Sequence, residues 1–203
     1  MSAWDELARL GTATVYEAAG RQGYVSVSLH RVVPGARAAG PARTVRYGQD
    51  DNLMVHAAMA ALEPGDVLVL TMPKPAPVAL VGDLPATQAQ AHGAAAVLVD
   101  GAVRDVDELA ELGLPIWARY VSIRGSTKEA VGQIDVAVTL GGTPIEPGDA
   151  VVLDGAAIVP RDRIDEVLAL ARENKEARKR ESLRKGLLSY DLDGLRQRVE
   201  GGG

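Results

Sequence analysis

Two short apolar runs, separated by a helix-sized interval, constrain the fold more than any other feature of the sequence. The first run spans residues 78–81 and the second spans residues 94–99. Between them lies a helical pattern that begins near Pro85 and ends at Gly93, each at the end of a helix where its residue type is favoured. A strand, a helix and a strand joined in this way predict two parallel strands of one sheet, with a right-handed connection.

Charged residues follow both predicted strands. Asp83 comes directly after the first strand, and the loop predicted at residues 100–105 ends in Arg104 and Asp105. Because parallel strands end at the same edge of a sheet, where α/β proteins usually bind ligands, we expect these side chains to share one pocket beside a helix N-terminus. Arginine offers a planar fork for a carboxylate or an enolate oxygen, and aspartate offers hard oxygens for a divalent cation.

The same residues also have a purely structural interpretation. Asp83 could be the N-cap of the helix that follows it, and Asp105 or Asp107 could cap the next helix, which would leave Arg104 in solvent. Neighbouring side chains in an extended loop diverge, so Arg104 and Asp105 need not neutralise each other. The opposed positions of Asp83 and the Arg-Asp pair favour the functional interpretation.

Composition narrows the class of protein. With 203 residues, of which 47% are hydrophobic, the chain can bury the core of a single domain, and its alternating helix and strand patterns favour the α/β class. A net charge of −5 argues against general affinity for nucleic acid or an anionic membrane. Without cysteine, disulfides and thiolate chemistry are excluded. The charged N-terminus and the absence of a long apolar run predict a cytoplasmic protein.

The remaining pattern predicts the other elements. Further strands are expected at residues 25–29, 42–47, 67–71, 114–120, 136–140 and 150–153. Further helices are expected at residues 4–10, 15–19, 52–62, 106–112 and 161–185. We therefore place a core domain at residues 1–160 and a helical arm at 161–203, whose last glycines should be disordered. The turn Glu-Pro-Gly-Asp occurs twice, at residues 63–66 and 146–149, which common turn chemistry explains without a duplication.

Other chemically active side chains give weaker signals. His30, His56 and His92 lack the spacing of metal ligands, and we interpret each as structural. Lys74, between two prolines, could form a Schiff base, but no neighbour in the sequence would depress its pKa.

The segment from Gly82 to Asp105 resembles the 4-hydroxy-4-methyl-2-oxoglutarate aldolases, also called 4-carboxy-4-hydroxy-2-oxoadipate aldolases, and the related regulators of ribonuclease activity A. In the aldolases an acid is followed by twenty residues and then by Arg-Asp, which corresponds here to Asp83 and Arg104-Asp105. The likeness extends over most of the chain and includes the segments 12–15, 40–45, 64–66 and 188–196.

The resemblance implies an α/β protein with a three-layer β/β/α fold, whose helical arm packs on a neighbouring subunit of a homotrimer or homohexamer. It implies a class II aldolase, dependent on a divalent metal cation with Mg²⁺ as first choice, that cleaves a 4-hydroxy-2-oxo acid to pyruvate without a Schiff base. Oxaloacetate decarboxylation is the expected side activity, because it forms the same enolate. The expected partner is thus a small 2-oxo acid of aromatic degradation rather than nucleic acid or membrane.

The resemblance also implies roles for individual residues. Asp105 would hold the metal, largely through ordered waters, and Arg104 would bind the pyruvyl keto oxygen and stabilise the enolate. Asp83 would orient a metal-bound water that takes the proton from the substrate C4 hydroxyl. A glutamate from the next subunit would complete the metal shell, with Glu176 as first choice and Glu173 as second.

The substrate carboxylate would be held by backbone N–H groups of the turn formed by Gly82, Leu84, Pro85 and Ala86. Pro85 departs from the family, in which a residue with an N–H commonly stands at this place. The missing donor would weaken binding by about 1.5–3 kcal/mol unless Ala86 or a water replaces it. Two alternatives therefore stay open: a lyase or decarboxylase for another oxo acid, and a non-catalytic regulator that binds a ribonuclease. The complete motif and the long arm favour the enzyme.

Overall fold

The computed structural model describes residues 2–173 and 181–200. Its strands are β1 (His30–Arg31), β2 (Ala38–Arg46), β3 (Val67–Thr71), β4 (Ala79–Val81), β5 (Ala96–Val103), β6 (Ile116–Val121), β7 (Gln133–Ile134), β8 (Val138–Leu140), β9 (Thr143–Ile145), β10 (Ala150–Leu153) and β11 (Ala157–Val159). In these residues, nine strands form one mixed sheet in the order β1-β6-β5-β3-β2-β10-β11, with β4 paired to β5 and β7 to β2. β8 and β9 form a separate antiparallel pair.

The helices of the core are α1 (Ala3–Leu10), α2 (Thr12–Ala18), α3 (Leu53–Ala58), α4 (Asp83–Ala91), α5 (Val106–Leu112) and α6 (Ile164–Glu173). Short 3₁₀ turns occupy Met59–Ala61 and Arg161–Arg163. Although α6 lies in the segment predicted as the arm, it packs against α1 and α2 of the core. Nearer the C-terminus, short helices cover Ser189–Leu192 and Leu195–Glu200. None of the helices in the described ranges is both long enough and apolar enough to cross a membrane.

Alternation along the central strands separates the structure into layers. In β3, Leu68 and Leu70 pack with helices α3, α4 and α5, whereas Val67 and Val69 pack on the opposite face with β8 and β9. A third cluster joins α1, α2 and α6 to the part of the sheet formed by β2, β10 and β11. Because successive side chains of a strand point to opposite faces, an apolar run such as Val67–Thr71 becomes buried on both sides. The predicted α/β fold with three layers is confirmed.

The β4–α4–β5 unit is parallel, as its spacing predicts, but its second strand is longer than expected. β3 pairs with Ala96–Val99 and β4 then pairs with Ala102 and Val103, so β5 continues through part of the predicted 100–105 loop. Asp100 is consequently buried within the strand, where its Oδ1 accepts a hydrogen bond from Arg119 Nε at 2.5 Å. Gly101 allows this packing, because a Cβ there would lie 2.3 Å from Leu80 Cδ1.

The prediction of a strand at residues 25–29 is wrong, because this segment forms no regular strand. Consecutive residues of this segment bond to different parts of the chain: the Val25 N–H donates to Ala156 O at 3.4 Å and the Ser26 N–H donates to Gly141 O at 3.2 Å. Only an isolated bridge between Tyr24 and Ala157 forms nearby, so no ladder develops. Alternating hydrophobicity identified the buried face of this segment but not its backbone partners.

The two Glu-Pro-Gly-Asp turns have the same structure. In each, the final aspartate N–H donates to the glutamate C=O at 3.1 Å, and Gly65 and Gly148 have positive φ values of 95° and 84°. The carboxylates of Asp66 and Asp149 accept from the N–H of Glu63 and Glu146 at 3.0 and 2.8 Å. This is the pattern of a turn with proline second and glycine third, stabilised by its last side chain.

Candidate active site

The turn that joins β4 to α4 carries the first predicted site residue. α4 begins at Asp83 with Gly82 as its N-cap, and Asp83 makes no capping bond, so it is not the N-cap. Its half-buried carboxylate instead accepts a hydrogen bond from Thr87 Oγ1 at 3.3 Å. The Asp83 N–H donates to Asp105 Oδ2 at 3.1 Å. One hydrogen bond therefore joins the start of α4 to the residues that follow β5.

Arg104 and Asp105 lie at the end of β5, on the neighbouring turn. Asp105 occupies the N-cap position of α5 without making a side-chain cap, and it has left-handed backbone angles of φ 57° and ψ 45°. The Arg104 Nε lies 3.5 Å from Asp105 Oδ2, so the two side chains do not diverge as an extended loop would require. The left-handed residue turns the carboxylate back towards the guanidinium, and such a conformation costs a non-glycine residue about 1–2 kcal/mol.

These turns form one wall of a cavity of about 230 Å³. This turn wall consists of Gly82, Leu84, Pro85, Arg104 and Asp105. A second wall, the loop wall, is formed by the start of α3 and by the loop after β6. It consists of Asn52, His56, Gly125, Ser126 and Lys128. The floor between the walls comes from Ala79 and Leu80 of β4.

The loop wall is held together by Asp51, whose side chain is 1% exposed. Its Oδ2 accepts from the Glu129 N–H at 2.6 Å, from the Ala130 N–H at 3.2 Å and from Thr127 Oγ1 at 2.7 Å. Its Oδ1 accepts from the Leu53 N–H at 2.8 Å. Burial opposes ionisation, but these four hydrogen bonds outweigh it and lower the pKa of Asp51 to about 2.

Two polar atoms of the loop wall have no partner in the described part of the chain. Asn52 Nδ2 donates to Leu80 O at 3.2 Å, which fixes the amide and leaves its Oδ1 buried without a hydrogen bond. His56 Nε2 is also buried without one. Burial, followed by the charge of Lys128, lowers the pKa of His56, so its imidazole is neutral at pH 7. His56, interpreted from sequence as structural, thus lies in the cavity wall.

The first turn of α4 has few N–H groups left for a bound anion. Pro85 has none, and the N–H of Asp83 is bonded to Asp105. The Ala86 N–H cannot replace the missing donor, because it donates to Gly82 O at 3.2 Å as part of the helix. Of the N–H groups that follow Asp83 in this turn, only that of Leu84 has no hydrogen-bond partner among the described residues.

The metal ligands expected from a partner are only partly within the described structure. Glu176 lies outside the described residues. Glu173 is the last residue of α6, where it is exposed beside Glu17. Within residues 2–173 and 181–200, no group of three or more His, Cys, Asp or Glu side chains could hold a metal ion. Asp105 is the only carboxylate that lines the described cavity. Asp83, expected to share the pocket, is not among its lining residues and reaches it only through the hydrogen bond from its N–H to Asp105.

Comparison with known proteins assigns the chain to a family. The model of the RraA-like family, described as aldolase/RraA, matches residues 12–159, which include both walls of the cavity. The chain belongs to the RraA-like family. A Halalkalibacterium halodurans member that carries the provisional name 4-hydroxy-4-methyl-2-oxoglutarate aldolase is 39% identical over 146 residues, which is 70% of each chain.

Solved structures of other proteins agree with the RraA-like assignment. An uncharacterised Pseudomonas syringae protein superposes with a TM-score of 0.79 at 27% identity, covering 92% of this chain and 94% of its own. RraA of Thermus thermophilus, described as an RNA-processing inhibitor, gives a TM-score of 0.61 at 32% identity over 65% of this chain and 81% of its own. Proteins similar to this chain therefore include one named as an RNA-processing inhibitor and one provisionally named as an aldolase.

Proposed function

We propose that this RraA-like protein is a divalent-metal-dependent aldolase. It would cleave a 4-hydroxy-2-oxo acid, such as 4-hydroxy-4-methyl-2-oxoglutarate or 4-carboxy-4-hydroxy-2-oxoadipate, and release pyruvate, with decarboxylation of oxaloacetate as a side activity. The observation that carries the proposal is the hydrogen bond from the Asp83 N–H to Asp105 Oδ2 beside Arg104, at the edge of one cavity. The provisional name of the Halalkalibacterium relative supports the same reaction.

Arg104 supplies the group that cleavage needs most, a cation for the enolate oxygen. Its guanidinium is half exposed on the cavity wall, and the Asp105 carboxylate beside its Nε leaves the rest of the fork free to receive the keto oxygen of the pyruvyl group. A charge placed before the reaction stabilises the developing enolate without reorganisation. The Leu84 N–H, free among the described residues, binds the adjoining carboxylate.

Asp83 is the residue that orients the base. Retro-aldol cleavage begins when a base takes the proton of the C4 hydroxyl, and we assign to Asp83 the role of orienting the water that accepts it. The Thr87 hydroxyl donates to Asp83 Oδ1, which fixes the carboxylate at the start of α4 without occupying all its lone pairs.

The residues present fit a hydrated divalent cation. Asp105 Oδ2 is bonded to a backbone N–H, whereas Oδ1 has no hydrogen-bond partner in the described part of the chain. Mg²⁺ commonly uses one or two carboxylates and keeps several waters, so a single free carboxylate oxygen suits it better than a closed cage. When bound, the metal supplies Lewis acidity beside the keto oxygen. We further propose that a trimer or hexamer brings Glu176 of a neighbouring subunit's arm to this metal.

Measuring pyruvate release tests the proposal. The purified protein is expected to release pyruvate from 4-hydroxy-4-methyl-2-oxoglutarate and from oxaloacetate with Mg²⁺ present, and EDTA should abolish both activities until Mg²⁺ is restored. Lys74→Ala is the control for Schiff-base chemistry and should retain activity, because the Lys74 backbone is held by Gln49 outside the cavity. Turnover that resists EDTA but is lost with Lys74→Ala would contradict the metal mechanism.

The Gly82→Ala variant should lose activity through a local displacement. A Cβ at Gly82 would lie 2.4 Å from Asp105 Oδ2 and 3.0 Å from both Cγ and Nε of Arg104, so the charged pair must move. A displacement of about 1 Å at reacting groups costs about 10²-fold in rate, and we expect kcat/KM for pyruvate release to fall by about 10- to 100-fold. Gly155→Ala, where a Cβ makes an ordinary contact 3.5 Å from Thr12 Oγ1, is the control. Unchanged activity in Gly82→Ala would show that the pair does not act in this position.

The Thermus neighbour, described as an RNA-processing inhibitor, favours a second candidate, a regulator that binds a ribonuclease. This candidate predicts inhibition of ribonuclease activity by stoichiometric protein and no pyruvate release from either acid. Arg104→Ala would distinguish the two functions if both were present, because it should remove cleavage without weakening the binding of a protein partner elsewhere on the surface.

A further inference from the structure

A second cavity, of about 390 Å³, lies between the irregular segment at residues 24–29, the strand pair β1–β6 and the turn at residues 154–156. We call it the hairpin cavity, because that turn joins β10 to β11. It shares no lining residue with the candidate active site. Its volume is within the range of about 300–1,000 Å³ that is usual for small-molecule sites.

Trp117 gives the hairpin cavity a hydrogen-bond donor without a partner. The residue is 1% exposed, and its Nε1–H donates to no atom of the described chain. Among the described residues, the unpartnered polar atoms that are sealed from solvent belong to Tyr47, Asn52 and His56, so the Trp117 Nε1–H keeps access to solvent. Trp117 lines the hairpin cavity, which provides that access. Because a buried indole N–H usually has an acceptor, this one calls for a ligand oxygen.

Arg31 places a cation beside this donor. Arg31 and Trp117 are directly opposite in the antiparallel β1–β6 pair, so their side chains project from the same face of the sheet. The Arg31 guanidinium is exposed at the cavity and makes neither a hydrogen bond nor an ion pair within residues 2–173 and 181–200. A guanidinium and an indole N–H offer donors only, and the planar fork of the guanidinium matches a carboxylate.

The carboxylate of Asp154, which also lines the hairpin cavity, is already bound by other groups. Its Oδ1 accepts from the Thr12 N–H at 3.2 Å and from the Gly155 N–H at 2.9 Å. Arg37 Nη2 lies 3.8 Å from its Oδ2. The charge of Asp154 is therefore compensated by its own partners, which leaves Arg31 available to an anionic ligand.

Tyr24 and the apolar wall favour a flat, apolar body for this anion. The Tyr24 residue is 61% exposed, although its ring is in tilted contact with that of Tyr16 at a centroid distance of 6.1 Å. The remaining wall includes Val25, Val27 and Leu29, which offer no polar side-chain atom. An aromatic ring can pack on an exposed tyrosine and on aliphatic side chains, whereas a sugar or a phosphate would lose its hydration there.

We propose that the hairpin cavity binds a small aromatic carboxylate. The carboxylate lies at Arg31 and the Trp117 Nε1–H, and the ring packs against Tyr24. This site does not depend on the aldolase activity, because none of its residues takes part in the proposed cleavage.

Binding of benzoate, followed at the indole N–H groups by heteronuclear NMR, tests the site in the Mg²⁺-loaded protein. The chain has two tryptophans, so Trp4→Phe assigns both signals. Benzoate should shift the Trp117 signal saturably and leave that of Trp4 unmoved. Benzamide, which has the same shape without the charge, should bind at least about 10-fold more weakly. Cyclohexanecarboxylate, which keeps the charge without the aromatic ring, should bind about 2- to 10-fold more weakly than benzoate.

Substitution of Arg31 tests the carboxylate end. Arg31→Met should weaken benzoate binding by about 10- to 100-fold, and Arg31→Lys should restore part of the affinity. Arg46→Met is the matched control, because Arg46 is also an exposed strand arginine but bonds to Gln133 and does not line the hairpin cavity. It should bind benzoate as the wild type does. An unmoved Trp117 signal, equal affinity for benzoate and benzamide, or equal weakening in both variants would overturn the proposal.

Arg104→Ala separates this site from the candidate active site, where Arg104 and Lys128 can also attract a carboxylate. The variant should show the same benzoate affinity at the Trp117 signal as the wild type. If the wild-type protein cleaves no 4-hydroxy-2-oxo acid while this binding persists, the proposed function fails alone. If cleavage occurs but the benzoate-induced shift disappears in Arg104→Ala, the ligand binds in the active site and the hairpin cavity is not its site.

Discussion

Arg104→Ala is expected to lower kcat for pyruvate release by at least about 10²- to 10³-fold, because it removes a preorganised cation from the enolate oxygen. Folding should be almost unaffected, since the side chain is 51% exposed and its ion pair with Asp105 is partly in solvent. Arg104→Lys should restore little of the rate, because an ammonium group cannot reproduce the fork of a guanidinium. Initial rates and thermal unfolding of the variants measure both effects.

Arg124→Ala provides the comparison for charge removal, because this arginine is exposed near the cavity without lining it. It should retain nearly wild-type kcat. If Arg104→Ala kept more than about a tenth of the wild-type kcat at saturating substrate, its guanidinium would not be the enolate-stabilising group. A large loss of stability in Arg104→Ala would instead indicate a structural role.

Asp51→Asn is expected to lower the free energy of unfolding by about 2 kcal/mol at pH 7. The pKa of Asp51 falls from 3.8 to about 2 because four hydrogen bonds to the ionised carboxylate outweigh its burial. Its stabilising contribution is therefore fully present above pH 3.8 and is lost as the pH falls through about 2. Urea unfolding of the wild type and the variant between pH 7 and pH 2 should show two curves that approach each other in acid.

The same substitution should disturb the loop wall of the cavity, since Asp51 fixes the residues on both sides of Lys128. We expect a higher KM for 4-hydroxy-4-methyl-2-oxoglutarate with a smaller change in kcat. Asp50→Asn is the control, because this neighbouring acid makes a single ion pair with exposed Arg124 and should cost less than about 1 kcal/mol. A stability difference between the wild type and Asp51→Asn that stays constant down to pH 2 would refute the role of the ionised carboxylate.

The β4–α4–β5 unit could be predicted from sequence because its signals are local. Two apolar runs, a proline and a glycine at the ends of one helix, and a spacing of twenty residues are sufficient to bring Asp83 to the turn that carries Arg104 and Asp105. The end of β5 could not be predicted in the same way. An acid such as Asp100 and a glycine such as Gly101 are typical of turns, yet both lie within the strand. Arg119 forms an ion pair with Asp100, and Leu80 packs so closely on Gly101 that a Cβ would not fit there.

The loop wall was not predicted, because its residues come together only through long-range contacts. Asn52 is the N-cap of α3 and His56 lies four residues later within it, which is a weak local signal. Lys128 lies more than seventy residues later in the sequence. The buried Asp51 joins its loop to the start of α3, because the Asp51 carboxylate accepts hydrogen bonds from the backbone N–H groups of Glu129 and Ala130. Backbone donors have no sequence signature, so Asp51 looks in the sequence like one more acid in a polar turn.

The two walls of the cavity are built from separate parts of the fold, and this separation has a consequence for how the protein can evolve. Arg104 and Asp105 follow a buried strand that is paired on both sides, whereas Lys128 belongs to a loop attached to the core through Asp51 and a few backbone bonds. Mutations in that loop can change the lining of the cavity while Arg104 and Asp105 keep their places. A new ligand preference can therefore arise on this scaffold through changes confined to one loop.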